Sequence, residues 1–469
     1  MSFSAPVFVT AFLPVLVGLH TILKKETPRN WLLLAAGLVF YAFGGFLQTA
    51  VLLAAALVNY LLGAAMRRSA HGRFLLAVGV TADLALLCAY KYLGFLLCDL
   101  LGIRSAAAFT DGIAVPLGIS FFTFKCISYL VDTFRDRTSA ARRFFDLLLY
   151  VSFFPQILAG PITRFGDFSG QLAGRSVSAE TTALGFRRFL LGLGKKLFLV
   201  YTLSQIPDGV FAMASSDIGT PLAWLAAMAY MLQIFLDFTA YSDMSIGLGQ
   251  MFGFSTPENF NCPYLADSIG DFWRRWHISL SSWLRDYLYI PLGGNRRGRA
   301  AAACNKLIVF ALCGLWHGAA WTFLLWGVWH GVLSVLETLQ IIPVSRARKH
   351  RWSRALLRVY TLIAVCLGFV LFRAADLGEA MKLFGAMFAF RTGTPASAAA
   401  LHGFLSAKFL GAFALSIVLC FPLGRLLTGW ENRVAALRPI SYALTLALLI
   451  LCLLAMAAQG FQPFIYAQF

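Results

Sequence analysis

Charged side chains are scarce in this chain. Asp, Glu, Lys and Arg together make up 13% of its 469 residues, whereas soluble domains carry roughly 25%. Hydrophobic residues make up 59%, and apolar runs recur from end to end. This composition excludes a soluble globular protein. It predicts an all-α, polytopic membrane protein, built as one membrane domain over residues 1–469.

Motifs that would indicate a metal site, a disulfide framework or a serine nucleophile are also missing. The nine cysteines are scattered, and none forms a CxxC pair. The chain has no HExxH, HxxxH, GxSxG or SxxK motif. We therefore predict no bound metal and no resident cofactor, and nothing indicates a serine nucleophile. A zinc site built from His277, His317 and His330 is kept as an alternative.

A net charge of +18 could suggest a nucleic-acid partner, but the distribution of the basic residues argues against one. They lie in short loops between apolar runs, as the positive-inside bias predicts. Five basic clusters are therefore expected on the cytoplasmic side: residues 24–29, 67–73, 135–143, 274–306 and 346–358. The first apolar run lacks a basic leader and a small-residue cleavage site, which favours a membrane helix over a signal peptide.

The apolar runs predict about 11 to 13 membrane-embedded helices ringed around a central cavity. Several runs are shorter than the roughly 20 residues that a membrane span needs, which is typical of re-entrant or broken helices. Four predicted segments matter for the site: Ala223–Leu236, Ser242–Phe252, Leu307–Trp326 and Val328–Ile342.

One stretch, Asp237 to Gly331, concentrates polar residues within this apolar chain. It includes a polar insert, residues 255–306, which we expect on the cytoplasmic side. Three of the seven histidines lie in this stretch, each preceded by a tryptophan: Trp276-His277, Trp316-His317 and Trp329-His330. Ionisable groups at membrane depth are costly and mostly functional, so the stretch is the candidate site.

His317 lies ten residues into the run Leu307–Trp326. Small residues surround it, which leaves room for a substrate or for a neighbouring backbone. A neutral imidazole in a dry site is suited to removing a proton from a hydroxyl. The alternative is a core histidine that ties helices together. For His330 the structural alternative, a hydrogen bond near a helix end, is favoured.

His277 follows a tryptophan- and arginine-rich segment. On a continuous helix, Trp273, Trp276 and Leu280 would share one face, and Arg274, His277 and Ser281 the next. The alternative to a functional role is an interfacial anchor of Trp and Arg, although for His277 we favour function.

Basic residues between Arg274 and Lys306 would form a positive mouth that attracts a phosphorylated donor or anionic lipid headgroups. We predict that the donor contacts Arg274, Arg275, Trp276, Trp316 and Lys306. The carboxylates of Asp237 and Asp243 are expected to pair with arginines or to cap broken helices.

Long ordered strings resemble the membrane-bound O-acyltransferase (MBOAT) family. They are DFTAYSDMSIGLGQMFGF, SIGDFWRRWHISLSSWLRDYLYIPLGGNR and GLWHGAAWTFLLWGVWHG, with PLGISFFTF and FPQILAGPI upstream. The bacterial branch of alginate and other polysaccharide O-acetyltransferases is the most similar, and the family core covers about residues 115–331. The resemblance implies an active-site histidine at His317 and a second functional histidine at His277.

The resemblance further implies an O-acyltransferase of a bacterial cytoplasmic membrane. Its expected donor is acetyl-CoA or an acyl-carrier thioester, and the acceptor is a hydroxyl on a polysaccharide or on an extracytoplasmic SGNH-type acetyltransferase. Transfer of D-alanyl to a cell-wall polymer is an alternative within the family. A transporter or flippase for an anionic glycan, or a scaffold without chemistry, would also use polar groups and broken helices.

Overall fold

The computed structural model describes residues 1–110, 112–422, 437–458 and 464–465. The described residues are 77% helical and contain no β-strand. The prediction of an all-α membrane protein is confirmed.

The α-helices vary from single turns to a helix of 32 residues. In chain order they are α1 Leu13–Ile22, α2 Glu26–Ala42, α3 Phe46–Arg68, α4 Gly72–Leu87, α5 Ala107–Thr110, α6 Ile119–Arg135, α7 Phe144–Ser152, α8 Phe165–Ser169, α9 Ala179–Gly194, α10 Tyr201–Ala212, α11 Thr220–Met251, α12 Ile269–Arg275, α13 Ile278–Leu284, α14 Gly298–His317, α15 Trp321–Thr338, α16 Val344–Ala347, α17 Arg351–Arg373, α18 Leu377–Phe388, α19 Pro395–Phe404, α20 Ala407–Val418 and α21 Leu437–Ala458.

Short π-helical segments extend or join several of these helices. The segment Lys195–Val200 joins α9 and α10 into one helix, Ala179–Ala212. The others are Phe8–Phe12, Cys88–Tyr92, Phe95–Leu100 and Arg285–Tyr289.

Seven helices in the described ranges are long and apolar enough to cross a membrane, or eight if the bent pair α19 and α20 is one span. That pair bends by 70°. The seven are α3, α4 continued to Tyr92, the joined helix α9–α10, α11, α14, α17, and α21 from Pro439. The prediction of about 11 to 13 embedded helices also counts apolar segments shorter than a full span, such as the one that forms the nine-residue α7.

The chain divides into two compact units. The first comprises Met1–Leu191, Tyr241–Glu258 and Leu453–Gln468. In this unit α2 and α3 form a hairpin, with Gly45 at φ 129° in the turn. Gly185 of α9 and Gly247 of α11 allow close backbone packing, because a Cβ on Gly185 would lie 2.6 Å from the Gly247 carbonyl oxygen.

The helix α11 is continuous, which corrects the prediction of two segments, Ala223–Leu236 and Ser242–Phe252. The polar residues between them do not break it, because their charges are paired. Asp243 accepts a hydrogen bond from Arg188 at 3.0 Å, as expected for a pairing with arginine. Asp237 pairs with a lysine instead, Lys196, at 2.8 Å, and both side chains are buried.

The second unit comprises Gly192–Ala240 and Asn259–Cys452. Its helices α14 and α15 form a tight hairpin. A Cβ on Gly314 would overlap the Phe323 carbonyl oxygen, and a Cβ on Gly327 would overlap the Phe310 carbonyl oxygen. The glycines therefore bring the two backbones into direct contact.

The hairpin corrects the predicted boundaries in this region. One apolar run, Leu307–Trp326, was expected to place His317 in mid-helix. Instead α14 ends at His317, and the chain is extended at Gly318 (φ −161°) and at Ala320 (φ −150°) before α15 begins. The Phe323 ring occupies the position of a Cβ on Gly318, so the small residue accommodates this ring and the chain can turn.

The helix α12 is fixed at its start by side chains. Ser268 accepts a hydrogen bond from the Asp271 backbone N–H, and the Glu337 carboxylate accepts from the Ile269 and Gly270 N–H groups at 2.6 and 3.0 Å. These bonds satisfy donors that a helix N-terminus leaves without intrahelical partners. Glu337 lies at the end of α15, so α12 is attached to the hairpin.

Candidate active site

The backbone at His277 is not helical, which corrects the prediction of a continuous helix through this segment. The helix α12 ends at Arg275, His277 adopts a left-handed conformation with φ 45° and ψ 55°, and α13 begins at Ile278. A non-glycine residue in this region is uncommon and needs support from its surroundings. The predicted faces shared by Trp273, Trp276 and Leu280 therefore do not form.

Asn259, in the loop that follows α11, supports this turn. Its carbonyl oxygen accepts a hydrogen bond from the Ile278 N–H at 3.0 Å. Its side-chain Oδ1 accepts from the Ser279 backbone N–H at 3.1 Å and from the Ser279 hydroxyl at 2.9 Å. His277 Nδ1 lies 3.3 Å from the same oxygen. No motif in the sequence indicates a role for Asn259.

His277 is fully buried among aromatic rings. The Phe238 ring lies edge-on with its centroid 4.6 Å from that of the imidazole, and the Trp316 ring lies at 6.2 Å. Burial lowers the pKa of His277 from 6.5 to about 3, because a dry site disfavours the charged form. The imidazole is therefore neutral near pH 7.

His317 is also enclosed by aromatic rings, and only 3% of it is exposed. Three ring centroids lie close to that of the imidazole, those of Trp316 at 4.9 Å, Trp326 at 5.0 Å and Phe372 at 5.3 Å, all with their planes steeply inclined to it. The sequence left open whether the small residues beside His317 serve a substrate or a backbone. At Gly314 and Gly318 the structure shows α15 in that space.

Trp316 brings the two predicted catalytic residues into one cluster. Its ring lies within ring-contact distance of both His277, at 6.2 Å, and His317, at 4.9 Å. His277 and His317 are far apart in the sequence, but they come close together because α14 packs beside the turn that carries His277. We call the group His277, Trp316, His317, Trp326 and Phe372 the histidine cluster.

His330 makes a structural hydrogen bond, as the sequence favours, but it lies in the interior of α15 and not near a helix end. Its Nδ1 accepts a hydrogen bond from the Trp273 indole N–H at 3.4 Å, and its ring stacks on Phe272 with centroids 6.1 Å apart. Trp326 lies between His330 and His317, at 5.2 and 5.0 Å. No group of His, Cys, Asp or Glu in the described part of the chain is arranged to hold a metal ion.

The predicted donor-binding residues are in different environments. Trp276 is buried between Phe260 and Phe272, in the packing core. Arg274 and Arg275 form ion pairs with Asp271 at 3.3 and 2.9 Å. Both pairs lie within α12, at i,i+3 and i,i+4 spacing, and stabilise the helix itself.

Lys306 lines a pocket of about 170 Å³ in the second unit. Trp273, Arg285, Tyr289 and Phe310 are also on its wall. The Lys306 ammonium donates a hydrogen bond to the Thr338 hydroxyl at 2.6 Å. The pocket is largely apolar with cationic groups on its wall, a combination suited to a ligand with an apolar arm and an anionic group.

Sequence comparisons match most of this chain to one protein family. A family model described as MBOAT, membrane-bound O-acyltransferase family, matches residues 73–375, a range that contains the whole histidine cluster. A probable alginate O-acetylase of Pseudomonas putida is 37% identical over 100% of both chains. A peptidoglycan O-acetyltransferase of Helicobacter pylori is 35% identical, over 82% of this chain and 79% of that protein. A teichoic acid D-alanyltransferase of Bacillus subtilis is 28% identical, over 55% and 68%.

Proposed function

The chain belongs to the membrane-bound O-acyltransferase family, and on that premise we propose that it transfers acetyl from a cytoplasmic thioester to a hydroxyl, for O-acetylation of an extracytoplasmic polysaccharide. It is a multi-pass membrane O-acyltransferase. A transporter or a scaffold without chemistry no longer fits this family. The observation that supports the acyl-transfer site is the histidine cluster, in which Trp316 contacts both His277 and His317.

His317 acts as the general base in the proposed reaction. Its imidazole takes the proton from the acceptor hydroxyl, and the oxygen forms a bond to the thioester carbonyl carbon. The tetrahedral intermediate collapses as the carbon–sulfur bond breaks, and the leaving thiolate takes the proton back from the imidazolium. His277 orients the reacting groups. The aromatic walls keep water from the thioester, which limits its hydrolysis.

The donor is acetyl-CoA in this proposal. Lys306 and Arg285 on the wall of the Lys306 pocket support an anionic donor, and the phosphates of acetyl-CoA carry that charge. The chain lies in the bacterial cytoplasmic membrane with its basic clusters inside. The acceptor is a polysaccharide hydroxyl, or a serine of an extracytoplasmic SGNH-type acetyltransferase that completes the transfer. The relatives named for alginate and peptidoglycan O-acetylation favour acetyl over D-alanyl.

The role of His317 is tested by His317→Ala in native membrane vesicles from a strain that lacks the chromosomal copy. The assay follows radiolabel from acetyl-CoA into acid-precipitable polymer. We expect a loss of about a hundredfold or more, as for the removal of a general base. The matched control is His71→Ala, since His71 is exposed at the start of α4. Parental transfer by folded His317→Ala would refute the assignment, and label from a D-alanyl carrier alone would redirect the donor.

A further inference from the structure

The carbonyl end of the Asn259 amide is fixed by its neighbours. The Ser279 backbone N–H lies 3.1 Å from Oδ1, and a backbone N–H is always a donor. If the amide were turned, its NH₂ group would face this donor, so the atom at this position is the oxygen. The fully buried side chain is thereby oriented without reference to His277.

This oxygen decides which nitrogen of His277 carries the proton. A carbonyl oxygen only accepts hydrogen bonds, and His277 Nδ1 lies 3.3 Å from it. A neutral imidazole has one N–H and one lone pair, and the hydrogen bond at one nitrogen selects the tautomer. The proton therefore belongs on Nδ1, and the lone pair belongs on Nε2.

A backbone hydrogen bond is a second link between Asn259 and the turn at His277. His277 is in the left-handed region with φ 45°, where a non-glycine residue is strained. The Asn259 carbonyl oxygen holds the next residue, Ile278, at 3.0 Å. The same residue that receives the imidazole proton thus also fixes the turn that presents the imidazole.

We propose that Asn259 is a positioning residue that holds His277 as the Nδ1–H tautomer, so that Nε2 accepts a hydrogen bond from the acceptor hydroxyl. This inference rests on the proposed function. It makes His277 an acceptor that orients the hydroxyl for His317, and it excludes the neutral imidazole as a donor to the oxyanion of the intermediate, since its one N–H is bonded to Asn259.

Three variants separate this role from a purely structural one. Asn259→Ala removes both the tautomer control and the side-chain contacts to Ser279. Asn259→Asp keeps an oxygen at the same place. Ser279→Ala removes the hydroxyl that fastens the loop to Asn259 but leaves the bond to His277. Each is assayed for acetyl transfer from acetyl-CoA in native membrane vesicles over a range of pH, with thermal stability measured on the purified chain.

We expect Asn259→Ala to lower kcat by about tenfold or more, with KM for acetyl-CoA nearly unchanged, because a hydrogen bond used in the chemical step is lost. Asn259→Asp restores kcat at alkaline pH. In the pH profile of kcat, the acidic limb of Asn259→Asp lies about one to three pH units above that of the parent, because a carboxylate beside His277 stabilises the imidazolium. Ser279→Ala stays within about threefold of the parent, consistent with the loss of one neutral hydrogen bond at most.

Two results would overturn the inference. In one, Ser279→Ala loses as much activity as Asn259→Ala, which would leave only a loop-fastening role. In the other, Asn259→Asp recovers activity with the parent's pH profile, which would show that the oxygen does not bond the His277 proton. If Asn259→Ala does not fold, the pH profile of Asn259→Asp decides alone. If either result is found and His317→Ala is still inactive, the role of Asn259 is refuted but the proposed acyl transfer is not.

Discussion

Because of the close packing in the α14–α15 hairpin, we expect Gly314→Ala to be more disruptive than the addition of one methyl group usually is. The new Cβ would overlap the Phe323 carbonyl oxygen and approach the Gly327 Cα at 3.1 Å. Both are backbone atoms, so no side-chain rotation relieves the overlap. The two helices must separate by a distance on the order of 1 Å to restore normal van der Waals contact.

This separation has two measurable consequences. Overpacking of this kind costs typically 1–3 kcal/mol of unfolding free energy, so the purified variant should melt at a lower temperature than the parent. His317 lies three residues further along α14, and a misplacement of about 1 Å in a catalytic group can cost on the order of a hundredfold in rate. We therefore expect Gly314→Ala to lose acetyl transfer to a greater degree than its loss of stability explains.

The matched control is Gly385→Ala in α18. Nothing lies within 4 Å of a Cβ at that position, and alanine is favoured over glycine in a helix. Melting curves in detergent and acetyl transfer in vesicles are compared for the parent and both variants. If Gly314→Ala melts and transfers acetyl as Gly385→Ala does, the helices are not packed through their backbones and the reasoning fails.

Two further predictions concern buried ionisable side chains. Either Lys196→Met or Asp237→Leu alone should destabilise the chain by about 3–5 kcal/mol, because each leaves its buried partner without the 2.8 Å ion pair. The double variant should recover much of this loss. A double variant whose loss of stability equals the sum of the two single losses would contradict the prediction. The pKa of His277 is about 3 in the folded chain and about 6.5 in the unfolded chain. The contribution of His277 to the free energy of unfolding is therefore complete above pH 6.5. It falls as the pH drops towards 3, by at most about 1.4 kcal/mol per pH unit. Melting temperatures between pH 7.5 and 5 should therefore fall less steeply in His277→Gln than in the parent, and equal slopes would show that His277 is not buried neutral.

The class of fold and the two central histidines could be predicted from the sequence because their signals are local. Low charge with long apolar runs indicates a polytopic helical protein. Three tryptophan–histidine pairs indicate the stretch between Asp237 and Gly331, and the resemblance to the family singles out His277 and His317 within it. The structure places both in one cluster through Trp316.

The continuity of α11 could not be predicted because it depends on distant residues. The carboxylates of Asp237 and Asp243 look like interruptions when hydropathy is considered along the chain. Their partners, Lys196 and Arg188, lie 41 and 55 residues away in the sequence. Only packing of the helices shows that the charges are paired and that the helix continues.

The role of Asn259 was hidden for a related reason. An asparagine in a loop is usually a turn residue, and nothing in the string around it distinguishes a turn from an anchor. The anchor becomes visible only when the left-handed backbone at His277 brings Nδ1 and Ser279 to the same oxygen. Because a continuous helix was assumed through His277, the interaction could not have been foreseen.

The corrected position of His317 strengthens its proposed role as a base. In mid-helix, the imidazolium formed by proton transfer would be stabilised little by the backbone. At the C-terminal end of α14, it lies next to carbonyl groups that carry the negative end of the helix dipole. That position favours a cation by about 0.3–1 kcal/mol, and up to about 2 kcal/mol in a partly buried site. The helix end offsets part of the cost of charging the imidazole during the reaction.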